Sequence, residues 1–206
     1  MPVSVLAGKP MNMTPVEAAS VPVAAQTAWQ ALFDQGLLER GQTFLIHGAA
    51  GGVGTFAVQL AHWKGARVLA TGSADSIAYL RSLGADQAID YRATPFETVA
   101  KSVDLVLDLV GGETQKRSYG VIKPRGRLMS TVQPPSQDEA SKHAVQASFV
   151  SMQPSDKRLN QIADLLGSGA IKTVVTTRYP LAQAAEAWKQ QMSGHPRGKI
   201  VLEVAV

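Results

Sequence analysis

The stretch TFLIHGAAGGVGTFAVQLA, residues 43–61, passes from an apolar run through a group of glycines into a second apolar run. Residues 43–47 predict a buried strand, and the segment from Gly54 onward predicts a helix. A strand that turns directly into a helix favours glycine, which accepts positive φ and lets a phosphate approach the backbone. The stretch therefore predicts either a phosphate-binding turn or only a tight connection between two elements.

The glycine frame is an imperfect dinucleotide fingerprint. In the pattern G-x-G-x-x-G, Ala49 takes the place of the first glycine, whereas Gly51 and Gly54 fill the second and third. The fingerprint also requires an apolar strand before it, a helix after it and a second strand, and ARVLAT at residues 66–71 meets the last requirement. We interpret residues 50–54 as a loop for a cofactor pyrophosphate.

The rest of the chain alternates between strand and helix patterns. VDLVLDLV, residues 103–110, is apolar on both faces and predicts a strand covered on both sides. Residues 133–156 are rich in proline and polar residues and read as one long connection with about one helical turn. The pattern predicts an α/β fold with a doubly wound parallel sheet of the Rossmann type, carrying short terminal segments of a second domain.

The end of the second strand bears on the choice of cofactor. An NAD site places an acid there for the ribose hydroxyls, but residues 71–73 are Thr-Gly-Ser, and Asp75 comes two residues later. A carboxylate at Gly72 would repel a 2′-phosphate, and its absence favours NADPH over NADH. The candidate partners of that phosphate are Ser73, Ser76, Arg81 and Arg92.

Composition excludes several classes of function. The chain has 206 residues, a formal charge of +4 and no cysteine, so disulfides, thiolate catalysis and cysteine-ligated zinc are absent. Basic residues are dispersed, which indicates an anionic small ligand and no dedicated nucleic-acid binding. No apolar run is long enough to predict a membrane span, and the first residues make a poor signal peptide. We expect a cytoplasmic protein.

Four segments in order resemble the medium-chain dehydrogenase/reductase superfamily, and its zinc-independent quinone oxidoreductase-like branch in particular. They are LIHGAAGGVGTFAVQLA, LRSLGADQAIDYR, DLVLDLVGGET and RGKIVLEV. The resemblance implies NADPH-dependent hydride transfer to a quinone or another conjugated carbonyl, without zinc. Val23 stands where zinc-dependent relatives have a metal-binding cysteine. Relatives commonly dimerise, and the strand IKTVVTT could form an exposed edge, so a homodimer is expected.

The resemblance also implies the roles of individual residues. Thr27 corresponds to a residue at the nicotinamide end, and Val110 and Gly111 to the backbone that lines the cleft after the fourth strand. Phe149 and Val150 correspond to a segment that closes over the nicotinamide. The pyrophosphate loop would be formed by Ala50, Gly51, Gly52, Val53 and Gly54, and the surroundings of the 2′-phosphate by Ser73 and Tyr91. No catalytic residue is assigned.

Simpler structural roles remain possible for several of these residues. Thr27 could bond its own helix backbone, and Tyr91 and Phe149 could serve packing. His47 is better interpreted as a cap or a hydrogen-bonded core histidine. Asp108 would need partners if buried, and a place at the strand end explains it more simply. The remaining histidines lack metal-ligand spacing and are expected at the surface: His62, His143 and His195.

Members of the superfamily begin with a barrel-like catalytic domain, most of which has no counterpart here. We expect residues 1–20 to be its connector, residues 21–196 to be the dinucleotide-binding domain and residues 197–206 to be a strand that returns towards the catalytic domain. Two further functions stay open: an NADPH-binding module without activity of its own, and an enoyl reductase domain of a larger synthase.

Overall fold

A six-stranded parallel sheet forms the centre of the structure, a computed structural model that describes residues 5–193 and 197–204. The strand order is β3-β2-β1-β4-β5-β6, so the direction of winding reverses between β1 and β4. The predicted doubly wound parallel sheet is confirmed. The strands are β1 (Thr43–His47), β2 (Arg67–Gly72), β3 (Gln87–Asp90), β4 (Val103–Asp108), β5 (Ile122–Ser130) and β6 (Gln146–Phe149). His195 and the outer ends of the predicted domains lie outside the described residues.

Helices cover this sheet and connect its strands. In chain order they are α1 (Pro15–Ala19), α2 (Pro22–Trp29), α3 (Gly52–Lys64), α4 (Ile77–Ser82), α5 (Phe96–Val99), α6 (Gly112–Ser118), α7 (Gln137–Lys142), α8 (Asp156–Gly167) and α9 (Ala184–Met192). None of the described helices is both long and apolar enough to span a membrane.

The central sheet is buried on both faces. Successive side chains of a strand point to opposite faces, and in β1 Phe44 and Ile46 join one apolar cluster while Leu45 joins another. The first cluster includes residues of α2, α3 and α8, and the second includes residues of α5 and α7. This double coverage explains why the central strands read as apolar runs without alternation.

The start of the first helix and the end of the second are each marked by specific residues. At the start of α1, the Thr14 hydroxyl accepts from the Glu17 backbone at 3.2 Å, and the Glu17 carboxylate accepts from the Thr14 backbone at 2.8 Å. This reciprocal pair is a capping box, for which Thr14 and Glu17 have the required spacing. Helix α2 continues as a π-helical turn over Gln30–Gln35 and ends at Gly36, where a β-carbon would stand 2.3 Å from the Ala31 carbonyl oxygen.

The segment from residue 133 to 156 differs from its prediction. It holds α7 and the sixth strand, β6, rather than one long connection. Strand β6 pairs with β5 at the edge of the sheet, and three of its four residues are exposed. So little apolar surface is buried there that the strand lacks the apolar run by which the central strands were recognised.

Two further strands form a separate small sheet. Strands β7 (Val175–Pro180) and β8 (Lys199–Glu203) pair in parallel, and α9 lies between them in the chain. Strand β7 begins later than the predicted strand IKTVVTT, and its proposed pairing with a second copy of the chain stays a prediction. The predicted domain limits also stay predictions.

Candidate functional site

The carboxyl ends of β1 and β4 lie side by side at the point where the strand order reverses. His47 and Asp108, the last residues of these strands, are register partners. In open parallel sheets a crevice forms at this point, because the connections leaving the two strands run to opposite sides. The glycine turn leaves β1 here, and the turn at Val110 and Gly111 leaves β4 here. The fold thus brings two of the predicted loops to one place.

The sharp turn after β1 is made by Gly48. This residue has φ of +74°, and its carbonyl oxygen accepts a hydrogen bond from the Gly51 backbone at 3.2 Å. Ala49, which stands in the place of the first fingerprint glycine, is fully buried with a negative φ. The turn therefore does not need glycine at position 49, because the positive φ lies one residue earlier.

The glycines at the start of α3 have different physical roles. At Gly54 a β-carbon would stand 2.5 Å from the carbonyl oxygens of Gly48 and Ala49, so the helix packs directly on the turn. At Gly51 the nearest atom to such a carbon would be 3.5 Å away, which leaves its surface open. No side chain caps α3, and the first N–H groups of a helix have no partner within it. These features fit a cofactor pyrophosphate.

A second segment, residues 197–199, crosses this turn from the far end of the chain. The Gly198 backbone donates to the Ala50 carbonyl oxygen at 2.9 Å. The Lys199 side chain lies over Gly52, where a β-carbon would meet its Cδ at 2.6 Å and its Nζ at 3.5 Å. An ammonium group therefore stands beside the first turn of α3. Sequence reasoning treated RGKIVLEV only as a family motif and missed this contact.

Arg197 of the same segment reaches the end of the second strand. Its guanidinium Nη2 donates to the Asp75 carbonyl oxygen at 2.5 Å. Burial raises the pKa of the nearby Tyr79 to about 12, and the charge of Arg197 acts in the opposite direction. The Tyr79 hydroxyl is buried and has no hydrogen-bond partner among residues 5–193 and 197–204. A buried hydroxyl without a partner beside a cation marks a place that an anionic acceptor would suit.

Most of the residues predicted for the 2′-phosphate lie together near this cation, but Arg81 is exposed on α4 and no described hydrogen bond joins it to them. The Ser73 and Ser76 hydroxyls are 3.1 Å apart, and the Tyr91 backbone donates to the Gly72 carbonyl oxygen at 3.2 Å. Tyr91 is 44% exposed, and the Arg92 guanidinium lies 5.6 Å from the centre of its ring. Full packing of Tyr91, the simpler interpretation, does not fit this exposure.

Thr27 is placed as its simpler interpretation predicted. Its side chain is 7% exposed, and its hydroxyl donates to the Val23 carbonyl oxygen in the preceding turn of α2 at 2.7 Å. The hydroxyl oxygen still has acceptor capacity, so the hydrogen bond is compatible with both roles.

Two buried glutamines next to Thr27 hold the segment that follows β6. The Gln30 side chain donates to the Ser151 carbonyl oxygen and accepts from the Gln153 backbone, both at 3.0 Å. The Gln26 side chain accepts from the Ser155 backbone at 2.9 Å. These hydrogen bonds join helix α2 to the segment after Phe149 and Val150, and the role of both at a nicotinamide end stays a prediction. Sequence reasoning missed both glutamines, since a glutamine within an apolar helix carries no specific motif.

Apolar side chains stand exposed at the carboxyl ends of three neighbouring strands. Val110, Val132 and Phe149 follow or end β4, β5 and β6, and each is between 44% and 55% exposed. Phe149 is thus not a plug of the core. Val150 is 3% exposed, and its backbone donates to the Ser130 carbonyl oxygen at 2.7 Å, so its side chain belongs to the core.

His47 is a hydrogen-bonded core histidine, as predicted. Its Nδ1 lies 3.1 Å from the Thr71 hydroxyl, and its Nε2 lies 3.1 Å from the Ser118 hydroxyl. The Ser118 hydroxyl donates to the Thr114 carbonyl oxygen at 2.6 Å, so it accepts from Nε2–H of a neutral imidazole. Burial lowers the pKa of His47 to about 4, against the opposing charge of Asp108.

A separate groove lies between the N-terminal segment and α8. It measures about 530 Å³ and includes Met11, Asn12, Asn160 and Asp164 in its lining. None of the residues predicted for a cofactor lines it. In folds of this type a dinucleotide binds in an extended form across the edge of the sheet, so its site does not need to be an enclosed cavity.

Comparison with known proteins identifies the family. A model of the zinc-binding dehydrogenase family matches residues 83–202, which is more than half of the chain. The chain belongs to the zinc-binding dehydrogenase family. The resemblance to the cofactor-binding domain of the medium-chain dehydrogenase/reductase superfamily is thereby confirmed.

Curated relatives of this family are named oxidoreductases. The chain is 35% identical to a probable zinc-binding oxidoreductase, mitochondrial, of Arthroderma benhamiae, over 98% of this chain and 66% of that protein. It is 31% identical to the NAD(P)H oxidoreductase RTN4IP1, mitochondrial, of Danio rerio, over 95% of this chain and 59% of that protein. The chain therefore spans less than two thirds of the length of these relatives.

Solved structures of the family share the fold. The quinone oxidoreductase from Coxiella burnetii superimposes with a TM-score of 0.90 at 33% identity, covering 95% of this chain and 62% of that chain. The mycobacterial protein Rv1454c, solved in complex with NADPH, superimposes with a TM-score of 0.85 at 28% identity, covering 94% and 66%.

The relatives correct the cytoplasmic prediction, which is wrong by this comparison. The fungal and Danio rerio proteins are mitochondrial, as are the RTN4IP1 proteins of Mus musculus and Homo sapiens. The prediction rested on a poor signal peptide, on the lack of an apolar run long enough to span a membrane, and on the absence of cysteine. That absence reflects redox conditions that several compartments share, whereas targeting depends on leader segments.

The family name raises the question of a metal. Among residues 5–193 and 197–204, no three histidine, aspartate or glutamate side chains come together as a group that could hold an ion. The sequence has no cysteine. The part of the chain that the structure describes therefore offers no ligand set that fits a zinc ion.

Proposed function

We propose that this protein is an NADPH-dependent oxidoreductase of the quinone reductase type, acting on a small quinone or enone without zinc. The observation that carries the proposal is the uncapped N-terminus of α3 at the switch point, with Lys199 beside it and Gly51 open above it. The relatives named as NAD(P)H and quinone oxidoreductases support the reaction class. Absence of zinc is proposed because Val23 replaces the metal-binding cysteine of zinc-dependent relatives.

The glycine turn and the crossing segment would hold the two phosphates of the pyrophosphate. The backbone N–H groups at Gly52, Val53 and Gly54 supply donors and the positive end of the helix dipole. The Lys199 ammonium adds a full charge on the same side. Ala50 contributes its carbonyl oxygen to Gly198, which fixes the distance between the turn and the cation.

Selectivity for NADPH would come from the end of β2. Residues 71–73 provide no carboxylate for the ribose hydroxyls, while Ser73, Tyr91 and Arg197 gather there. A guanidinium is the side chain best suited to a phosphate, because its planar fork matches the phosphate oxygens. NADPH is therefore proposed over NADH.

The exposed apolar edge formed after β4, β5 and β6 would receive the nicotinamide. The bound cofactor supplies the hydride, and the protein supplies position and electrostatics. Val110 and Phe149 provide an apolar surface that would exclude water, and Gln30 holds the segment behind them. The group that protonates the reduced product is solvent or a residue outside these assignments.

The reaction class is tested by quinone-dependent oxidation of NADPH, followed at 340 nm, with the longest natural form of the protein. Turnover of a quinone or enone with NADPH is expected. The absence of turnover across a panel of both classes would refute the enzyme and leave an NADPH-binding module.

The cofactor site is tested separately by thermal unfolding of this chain with NADPH and with NADH. A ligand at 100 times its Kd adds about 2.7 kcal/mol to the free energy of unfolding. Stabilisation by NADPH at lower concentrations than NADH is expected. Equal stabilisation would contradict the preference for NADPH, and none with either ligand would refute the site.

One relative favours a second function. The chain is 35% identical to polyketide synthase GfsB of Streptomyces halstedii, over 95% of this chain and 4% of that protein. An enoyl reductase domain would transfer the same hydride to a conjugated thioester. Faster turnover of an enoyl thioester than of any quinone would favour this alternative. A homodimer is proposed for either function and is tested by the molar mass in solution.

A further inference from the structure

Asp108 is a fully buried carboxylate at the carboxyl end of β4. Its Oδ1 accepts from the backbone N–H groups of Val110 at 3.0 Å and Gly111 at 2.8 Å. Its Oδ2 accepts from the Gln115 amide at 2.9 Å and from the Ser130 hydroxyl at 3.0 Å. Four donors therefore meet one side chain, which satisfies a group that would otherwise be costly to bury.

These hydrogen bonds join two loops at the sheet edge. The loop after β4 is held directly, through the N–H groups of Val110 and Gly111. The loop after β5 is held through Ser130 and through Gln115, whose Oε1 accepts from the Gln133 side chain at 3.1 Å. One carboxylate thus fixes the spacing of the two loops that carry the exposed Val110 and Val132.

The loop after β4 is flexible by its own sequence and needs outside contacts to keep one conformation. Gly111 has φ of +80° and Gly112 has φ of +57°, and two glycines in a row lose much conformational entropy when they are ordered. The buried N–H group of Gly111 needs an acceptor, because a buried N–H without one costs as much as a lost hydrogen bond. The N–H group of Val110 is partly buried and shares the same carboxylate oxygen. Among the described residues, the bonds recorded from these groups run to Asp108.

We propose that Asp108 is a positioning residue for the nicotinamide half of the cofactor. By fixing the loops after β4 and β5, it holds the apolar edge on which that ring would lie. It has no part in holding the adenosine half, whose proposed partners lie at the ends of β2 and β3. The proposal rests on the proposed function, because it assumes that a nicotinamide dinucleotide occupies this edge.

The test compares two ligands and two variants. NADPH contains both halves of the cofactor, whereas adenosine 2′,5′-bisphosphate contains the adenosine half alone. For Asp108→Ala the Kd of NADPH should rise about tenfold or more, as for loss of a specific polar contact, while the Kd of adenosine 2′,5′-bisphosphate stays within about twofold. In Asp108→Asn one oxygen still faces Val110 and Gly111, so the Kd of NADPH should lie between wild type and Asp108→Ala.

Asp104 provides a matched control on the same strand. It lies near the opposite end of β4, where its Oδ2 accepts from the Thr43 backbone at 2.8 Å. Asp104→Asn should lower stability without changing the Kd of either ligand. This control separates general weakening of β4 from loss of position at its carboxyl end.

The outcomes separate the two claims. Equal weakening of both ligands by Asp108→Asn would overturn the positioning role and leave the proposed function standing. Unchanged binding of NADPH in Asp108→Asn and Asp108→Ala would overturn it too. A wild-type protein that binds neither ligand would overturn the proposed function and this proposal together. If Asp108→Ala does not fold, Asp108→Asn alone decides between these outcomes.

Discussion

Gly54 shows how one missing side chain sets the approach of a helix to a strand. A β-carbon there would overlap the carbonyl oxygens of Gly48 and Ala49 at 2.5 Å, and these are backbone atoms that cannot rotate away. We expect Gly54→Ala to lower the free energy of unfolding by about 1–3 kcal/mol, the usual cost of overpacking. Urea unfolding measures this change.

Gly120 offers the matched control for that substitution. It is exposed, has no positive φ, and a β-carbon there would meet nothing within 4 Å. Gly120→Ala should leave stability unchanged or raise it by about 0.4–1 kcal/mol, since alanine restricts the unfolded chain. Equal losses in both variants would show that the contact at Gly54 has no special weight.

His47 makes stability depend on pH in the acid range. Its pKa is about 4 in the folded protein and 6.5 as the ordinary value, so the unfolded state binds a proton more readily. The contribution of neutral His47 to the free energy of unfolding is therefore complete above pH 6.5. As the pH falls towards 4, the free energy of unfolding decreases by about 3 kcal/mol in all. Chemical unfolding between pH 7 and pH 4 measures it.

A substitution of His47 should remove that pH dependence. His47→Gln is expected to be less stable at pH 7 and to lose less of its remaining stability on acidification than the wild type. His62→Gln, at an exposed position on α3, should keep the wild-type profile. A wild-type profile in His47→Gln would contradict the assignment.

For single residues, the sequence predicted the kind of site better than the conformation and contacts of each residue. Gly51 and Gly54 could be placed because the fingerprint fixes their spacing, and Asp108 could be placed at a strand end because its strand is so apolar. The positive φ at Gly48 could not be predicted, since a run of small residues does not reveal which one turns. The four partners of Asp108 come from three separate segments, and no local pattern records such a meeting.

Among the elements, the segment of residues 197–199 carries two cations, for which we propose separate roles. Lys199 lies beside the glycine turn, the proposed site of the pyrophosphate, which is identical in NADPH and NADH. Arg197 lies at the end of β2, the proposed site of the 2′-phosphate, which only NADPH carries. We expect Lys199→Gln to weaken both cofactors about equally, whereas Arg197→Gln weakens NADPH alone, by about tenfold or more as for loss of a charge-assisted contact.

Calorimetric titration of the two variants with the two cofactors measures these four ratios. Arg81→Gln serves as the control, because Arg81 is an exposed arginine on α4 and no described contact joins it to Ser73 or Tyr91. Equal weakening of NADPH and NADH by Arg197→Gln would contradict the assignment of Arg197 to the 2′-phosphate.

Strands that are covered on both faces could be predicted from the sequence, and the edge strand β6 could not. Strands β1 and β4 can be recognised in the sequence as apolar runs, and the capping box of α1 marks its first residue. Strand β6 stayed hidden because an edge strand buries too little to show a pattern. The approach of residues 197–199 to the glycine turn joins positions more than 140 residues apart, which no window of sequence could display.

For the whole molecule, the small sheet of β7 and β8 should open more readily than the central sheet. A two-stranded sheet is marginal without good coverage, and α9 beside it exposes Trp188 at 66% and Met192 at 67%. We expect the amide hydrogens of β7 to exchange much faster than those of β4. Hydrogen exchange followed by mass spectrometry measures the difference.

A bound cofactor should slow hydrogen exchange in β8, the strand that begins at Lys199. Because residues 197–199 would contact the phosphates, saturating NADPH should slow exchange in β8 while leaving α9 unchanged. Equal protection of β7, β8 and β4 without cofactor would contradict the expected order of stability.

During synthesis on a ribosome the glycine turn emerges long before Arg197 and Lys199. Domains fold progressively as the chain emerges, so the Rossmann sheet can assemble before residues 197–199 complete the proposed phosphate site. A premature stop or a protease cut before residue 197 would leave a folded sheet that has lost the Gly198–Ala50 hydrogen bond and both cations. Such a shortened product would keep the native secondary structure of the sheet and, if the proposed site is correct, would no longer retain a cofactor.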